Sequence, residues 1–287
     1  MEKMAFAEIL DRLDGLDKWL LRIGVRPKND RVHRVIEIVR DVNEKWEESV
    51  KRRSDLAPSD YSDWRFGLIE AIEFSDIFKA FEHELPEKIG PKIKRALEGP
   101  ASLAEENTQN TTGRNTMFEL ALAAEWRLRG LKVDIGEPDL TLDLDGTCFL
   151  IECKRPFWEH SIGANVRGAG SQLRDKLESS VEAVGIIAVS ASRIVNPGTK
   201  VFWTPDEEGF YRLGDKAKRM MSENQQHWRK GKLHDRIAAV LFHTLTPGIV
   251  GDQQVLCRMG YSTLMEVDGS RGFQLLKGAF SPLYPGV

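Results

Sequence analysis

Cysteine is scarce in this chain of 287 residues, which contains only Cys148, Cys153 and Cys257. An odd number at irregular spacing argues against a disulfide framework, and no cysteine–cysteine or cysteine–histidine grouping has the spacing of a zinc site. The six histidines show no ligand spacing either, so we expect them to be structural. Such a chain is typical of a reducing compartment, and we expect a cytoplasmic protein.

Long hydrophobic runs are also missing. The longest, such as Val184–Val189 and Ile237–Phe242, are far shorter than the ~20 apolar residues that span a bilayer. Asp11, Asp14 and Asp17 interrupt the N-terminal segment, which lacks the basic-then-apolar pattern of a signal peptide. We therefore expect no membrane partner.

Neither sign of charge is in large excess, because 41 Lys and Arg face 44 Asp and Glu for a net charge of -3. This balance excludes a uniformly basic nucleic-acid coat protein but says nothing about local patches. The segment Arg212–Arg236 holds eight basic and three acidic residues around Trp228. Basic groups beside an aromatic ring suit a nucleic-acid backbone with a stacked base. The alternative, a solvated helix whose Trp228 points inward, stays open.

The first third of the chain has the pattern of helices. Apolar residues recur at steps of three and four through Val32–Val50 and again through Trp64–Leu85, which predicts amphipathic helices. The polar, turn-rich stretch Glu98–Arg114 predicts a linker or surface loop. We therefore predict a helical domain over residues 1–105 and a second domain over residues 106–287.

The second domain has an α/β pattern, in which helices and strands alternate. The order favours a mixed central β-sheet flanked by helices. The glycine-rich stretch Gly163–Gly170 predicts a flexible loop. The predicted helices are Thr116–Leu128, Gly170–Glu182 and Lys216–Lys230, and the predicted strands are Leu131–Ile135, Leu140–Leu144, Thr147–Cys153, Val184–Val189, Ile237–Leu245, Gln254–Met259 and Phe273–Leu276.

A two-residue turn fixes the register of one predicted hairpin. Asp145-Gly146 lies between two β-like runs, and this pair is a strong signal for a tight hairpin. Paired positions then sum to 291, which sets Asp139 opposite Glu152 on one face of the sheet. Side-chain alternation places Lys154 on the same face.

Two opposed carboxylates repel each other, and each raises the pKa of its neighbour. A hard divalent cation between them removes this repulsion, because Mg²⁺ prefers carboxylate oxygens and keeps several waters. One such water is a potential nucleophile, and a nearby amine such as that of Lys154 can hold it or balance developing negative charge.

Pro138-Asp139 followed by Glu152-Cys153-Lys154 resembles the PD-(D/E)xK signature of the restriction-endonuclease-like nuclease superfamily. The resemblance covers about Thr116–Ser190. It implies a mixed sheet with helices on its faces and cleavage of DNA, less often RNA, with Mg²⁺ or Mn²⁺ to leave a 5′-phosphate.

The resemblance also implies roles for individual residues. Asp139 and Glu152 would bind the metal, and Lys154 would position the attacking water. Glu119, on the preceding helix, would complete the metal shell, and Gln172, on the following helix, would orient the water or phosphate.

Other interpretations of these residues stay open. Glu152 and Lys154 also fit an exposed charge pair of little energetic value. Glu119 also fits the last position of a capping box that begins at Thr116. Gln172 also fits an ordinary exposed helix position.

We therefore expect a metal-dependent nuclease of the kind found in bacterial restriction or anti-phage systems, with a homodimer as its expected assembly. The alternative is a catalytically silent nuclease-like fold that binds nucleic acid or protein. Nucleic acid, with DNA first, is the expected partner. Its predicted contacts are Arg114 (alternatively a loop cation), Arg167, Lys216, Lys218, Arg219, Arg229 and Lys230.

Overall fold

The structure is a computed structural model. It describes residues 2–3, 6–26, 31–52, 65–100, 105–196, 202–204, 208–229, 231–250, 255–267 and 272–281. The chain divides into two compact units. The first comprises Met1–Ala124, Asn196–Glu208 and Thr246–Met259, and the second comprises Glu125–Val195, Gly209–Leu245 and Gly260–Val287. The domain boundary between residues 105 and 106 stays a prediction.

The first unit is mainly helical. Two of its helices, α3 and α4, correspond to the predicted amphipathic segments, and α1 packs against both of them. Their apolar stripes are buried, as at Leu13, Val39 and Phe81. The helices are α1 (Phe6–Asp14), α2 (Leu16–Arg22), α3 (Arg31–Arg52), α4 (Arg65–Phe81), α5 (Pro86–Ala96) and most of α6 (Thr112–Leu128).

Short strands belong to the first unit as well. Strand β1 (Glu2–Lys3) pairs with Cys257 and Arg258, which lie in the first half of the long strand β8 (Val255–Glu266). Strand β6 (Phe202–Thr204) runs parallel to the last residues of β7 (Ile237–Val250).

The second unit contains a mixed sheet. Six strands of the described part of the chain lie there in the order β2-β3-β4-β5-β7-β8. The pairs β2–β3 and β3–β4 are antiparallel, whereas β4–β5 and β5–β7 are parallel. Its first four strands along the chain are β2 (Lys132–Ile135), β3 (Leu140–Leu144), β4 (Thr147–Lys154) and β5 (Val184–Ser190).

Helices flank this sheet. Helix α7 (Ile162–Glu178) packs against β4 and β5, and α10 (Phe273–Phe280) contacts β3. Helices α8 (Ser192–Val195) and α9 (Glu208–Asn224) follow β5 and β6 along the chain. The predicted mixed sheet with flanking helices is therefore confirmed. No helix in the described ranges has the length and apolar content needed to cross a membrane.

The predicted hairpin register is confirmed. Leu144 pairs with Thr147 and Leu140 with Ile151, so that paired positions sum to 291. Both turn residues have positive φ, 48° at Asp145 and 81° at Gly146. This backbone conformation is the one for which an Asp-Gly turn is favoured.

The C-terminal strand prediction is wrong, because Phe273–Leu276 forms the first turn of helix α10. Leu276 and Phe280 are both buried, and their four-residue spacing is helical rather than extended. Phe280 packs edge-on against Trp126 at 5.1 Å between ring centroids. A segment of four residues is too short for the periodicity of a helix to be distinguished from that of a strand.

The predicted flexible loop at Gly163–Gly170 is also wrong, because these residues lie within helix α7. The glycines serve close packing. A Cβ at Gly170 would lie 2.6 Å from Leu233 Cδ2, and one at Gly163 would collide with the His227 ring. Other helix boundaries differ as well. Helix α6 begins at Thr112 instead of Thr116, α7 ends at Glu178 instead of Glu182, and α9 spans Glu208–Asn224 instead of Lys216–Lys230.

We expect Gly163→Ala to lower the free energy of unfolding by ~1–3 kcal/mol, because the added methyl group overpacks the contact with His227. Gly168→Ala is the matched control in the same helix, since no atom lies within 4 Å of its added Cβ. Alanine is the better helix former there, so this variant should be unchanged or more stable by up to ~1 kcal/mol. Chemical denaturation of the purified variants measures both values, and equal losses would contradict the packing role of Gly163.

Candidate active site

Asp139 lies in the turn between β2 and β3, one residue before β3 begins. The Gly136 N–H donates to the Asp139 carbonyl at 3.2 Å. The Asp139 carboxylate accepts a hydrogen bond from the Cys153 N–H, with 2.8 Å between Oδ2 and N. The Asp139 carboxylate is therefore anchored to the backbone of β4 at Cys153, the residue between Glu152 and Lys154.

Glu152 is a buried carboxylate in β4, with 3% of its surface exposed. The Lys154 Nζ lies 3.3 Å from its Oε2, and the Lys176 Nζ lies 2.6 Å from its Oε1. A buried carboxylate is costly unless it is paired and hydrogen-bonded. Two ammonium groups meet this requirement, so the alternative of an exposed Glu152–Lys154 charge pair is wrong.

Lys176 was missed by the sequence analysis. It projects from α7 and bridges Glu152 to the exposed Glu137, whose Oε2 lies 3.1 Å from its Nζ. Burial alone would lower the pKa of Lys176, but the hydrogen bonds to Glu152 and Glu137 and their negative charges outweigh it, so the pKa is raised.

Gln172 is exposed on the same helix, four residues before Lys176. Residues at this spacing share one helix face, so Gln172 lies on the face of α7 that carries Lys176. The structure brings Lys176 to Glu152, whereas the role of Gln172 stays a prediction.

Glu119 belongs to the first unit. Its Oε2 accepts a hydrogen bond from the Lys92 Nζ at 3.0 Å. The capping-box alternative is wrong, because α6 begins at Thr112 and Thr116 is buried within the helix. The metal-binding role of Glu119 stays a prediction.

The carboxylates of Asp139 and Glu152 are the type of ligand that a hard divalent cation prefers, because Mg²⁺ is often held by one or two carboxylates together with waters and substrate phosphate. The Glu152 carboxylate already compensates the positive charge of two lysine ammonium groups. Among the described residues, no group of three or more His, Cys, Asp or Glu could hold a metal ion. Of the three predicted metal ligands, Asp139 and Glu152 are the two that lie in the second unit.

Arg114 lies in the first unit, where its side chain is buried and ion-paired with Glu70. Arg31 binds the same carboxylate, with 2.9 Å between its Nε and Glu70 Oε2. This arrangement argues against the predicted phosphate contact of Arg114. Both guanidinium groups instead compensate a buried charge in the helical core.

The basic segment of the second unit contains several residues with structural contacts. Trp228 is buried and packs against Phe242 at 5.5 Å between ring centroids, so the inward-pointing alternative is correct. The Lys216 Nζ donates to the Val195 carbonyl at 2.7 Å. Arg236 donates to the carbonyl of Ser180 at 2.5 Å and also to that of Leu177.

Several of the predicted nucleic-acid-binding cations are exposed to solvent. Arg167 is exposed on α7, and its guanidinium lies 3.2 Å from the Nδ1 of His227. Burial, and then the charge of Arg167, lowers the pKa of His227. Arg219 is exposed and lies 4.0 Å from Glu223, and Lys218 and Arg229 are exposed as well. Lys230 lies outside the described residues, and nucleic-acid contacts of these cations stay predictions.

We expect Lys176→Met to lower the free energy of unfolding by ~1.5–3 kcal/mol at neutral pH, because Glu152 loses a charged hydrogen-bond partner. The raised pKa of Lys176 means that its contribution is complete below the ordinary lysine pKa. The contribution is lost as the pH rises through the folded-state pKa of Lys176. The difference in unfolding free energy between wild type and Lys176→Met should therefore decrease in strong alkali. Denaturant unfolding at several pH values measures this.

Lys232→Met is the matched control, because Lys232 is an exposed lysine of the same unit. Its effect should stay within ~0.5 kcal/mol, as for most surface substitutions. Equal losses for the two variants would contradict a specific stabilising role of the Lys176–Glu152 pair.

Comparison with known proteins gives no relative for this chain: no protein-family model, no curated protein and no solved structure matches it.

Proposed function

We propose that this protein is a metal-dependent phosphodiesterase of the PD-(D/E)xK type that hydrolyses nucleic acid, with DNA as the first candidate. One observation carries the proposal. The Asp139 carboxylate is anchored at the backbone of Cys153, the chain neighbour of Glu152, whose buried carboxylate two lysine ammonium groups contact. Carboxylates and amines meet here at the end of a strand, a composition suited to phosphodiester hydrolysis with a divalent ion.

The backbone around the site supports this proposal. The hairpin β3–β4 carries the acids, α7 returns across the sheet, and β5 lies parallel to β4. A mixed sheet of this kind is what a restriction-endonuclease-like fold implies. The proposed fold is therefore restriction-endonuclease-like, with the site at the end of β4.

Charge supports the same conclusion. Asp139 and Glu152 carry two negative charges, and Lys154 and Lys176 carry two positive charges, so these four groups sum to zero. A divalent cation would raise the local charge to +2, which favours a phosphodiester anion. Glu137 is 89% exposed at its side chain, so solvent screens its additional negative charge.

The side chains have distinct proposed roles. Asp139 and Glu152 would hold Mg²⁺ or Mn²⁺, and the Cys153 N–H fixes the orientation of the Asp139 carboxylate. When bound, the ion would supply Lewis-acid activation of the phosphate and of a water molecule. Lys154 stabilises negative charge that develops on the phosphate. Lys176 neutralises Glu152 and holds it in place.

A catalytically silent nuclease-like module is the second candidate. It is favoured by one observation, namely that each carboxylate oxygen of Glu152 is contacted by a lysine. In such a module the two lysines would replace the metal as permanent counterions. A place in bacterial restriction or anti-phage defence and the formation of a homodimer stay predictions.

A cleavage assay separates the two candidates. Purified protein is incubated with single- and double-stranded DNA and RNA in Mg²⁺, in Mn²⁺ and in EDTA. We expect cleavage with either metal, none in EDTA, and 5′-phosphate ends. Asp139→Ala, Glu152→Gln and Lys154→Ala should each reduce the cleavage rate by at least ~100-fold, the size of effect typical of lost electrostatic stabilisation.

Two exposed residues of the same unit provide matched controls, Glu178→Gln for the carboxylates and Lys232→Ala for the lysine. Both should cleave like wild type. Cleavage that persists in EDTA, or in all three site variants, would refute the proposed site. Binding to nucleic acid without cleavage under any metal would favour the silent module.

A further inference from the structure

An exposed aromatic residue follows the strand that carries the candidate active site. Trp158 is 53% exposed, and it is the one aromatic residue among the large hydrophobic residues exposed in the described part of the chain. Tryptophan is usually mostly buried, so a half-exposed ring needs a reason. The proposed site at Glu152 and Lys154 does not use it.

The backbone of Trp158 is fixed by two hydrogen bonds. Its N–H donates to the Ser161 hydroxyl at 3.3 Å, and its carbonyl accepts from the same hydroxyl at 2.6 Å. The ring packs edge-on against Phe157, with 4.8 Å between centroids and 70° between the planes. Phe157 is itself covered by the guanidinium of Arg193, 3.6 Å from the centre of its ring. The exposed ring is therefore supported by neighbours that fix its position.

Trp158 lies at the same edge of the sheet as the candidate active site. Lys154 ends β4, and Trp158 follows four residues later, within ~14 Å along even a fully extended chain. Arg193 follows the end of β5, the parallel neighbour of β4. The C-terminal ends of parallel neighbours meet at one edge, so the aromatic pair and Lys154 share it.

We infer that Trp158 is a stacking surface for an unpaired nucleobase, and that the substrate is a single-stranded nucleic acid or a single-stranded stretch of one. This inference rests on the proposed function, because it concerns the strand whose phosphate would reach Lys154. At ~3.4 Å per stacked nucleotide, at most about four nucleotides cover the distance from Lys154 to Trp158.

The Trp158 ring favours single-stranded over double-stranded nucleic acid. A tryptophan face offers stacking that every base can use, whereas bases inside a duplex are already stacked on both faces. The supported geometry lowers the entropic cost of binding, because the ring does not need to be ordered by the ligand. Phosphate attraction to the nearby cations adds affinity without sequence preference.

A binding experiment without hydrolysis tests this inference. Fluorescence anisotropy in EDTA measures the Kd of the full chain for three labelled 12-nucleotide probes, namely single-stranded DNA of mixed sequence, an abasic strand and the matching duplex. We expect Trp158→Ala to weaken binding of the base-containing strand by roughly 5- to 100-fold, the range for a lost aromatic–base stack. Trp158→Phe should retain most of the affinity, because a smaller ring still stacks.

The abasic strand and the duplex should bind wild type and Trp158→Ala equally, since neither offers a free base. Val181→Ala is the matched control, because Val181 is an apolar side chain of the same unit that is 88% exposed; it should bind like wild type. Equal affinities of wild type and Trp158→Ala for the base-containing strand would overturn the inference. So would an equal loss for the abasic strand, or no binding of any probe by wild type.

The outcome is independent of the cleavage assay. Trp158-dependent binding without cleavage would support the stacking surface and refute the nuclease. Cleavage without a contribution from Trp158 would do the reverse.

Discussion

The burial of one carboxylate constrains the rest of the second unit. Glu152 lies in the middle of the sheet, between β3 and β5, and only 3% of its surface is exposed. A charge removed from water in this way is stable only with close counterions and hydrogen bonds. Lys154 supplies one counterion from the same strand. The second, Lys176, comes from helix α7, so the position of this helix along the sheet is constrained by the Glu152 contact.

Helix α7 meets this requirement through its small residues and its C-terminus. Gly163 and Gly170 allow His227 and Leu233 to approach the helix more closely than any side chain would permit. At the other end, Arg236 donates to the Leu177 carbonyl in the last turn and to the Ser180 and Val181 carbonyls just beyond it. Such donors satisfy carbonyl groups that a helix end leaves without intrahelical partners. The glycines that resemble a flexible loop in the sequence are therefore part of what positions Lys176.

Local signals were sufficient for the hairpin but not for contacts between distant elements. The Asp145-Gly146 turn determined the register of β3 and β4, because a two-residue turn leaves no freedom in the pairing. Lys176 was missed because its partner lies 24 residues earlier in the chain, and helix periodicity gives only the face shared with Gln172. The inward position of Trp228 likewise depends on packing against Phe242, which charge patterning along the segment does not report.

The central claim is that Asp139 and Glu152 hold a divalent cation that the lysines alone cannot replace. Titration of Mn²⁺ into the purified protein, with free Mn²⁺ followed by electron paramagnetic resonance, tests this claim without any assumption about substrate. Wild type should bind Mn²⁺ at one site per chain, and Asp139→Asn and Glu152→Gln should each abolish that site. A wild-type protein that binds no Mn²⁺, or variants that bind it as wild type does, would contradict the account.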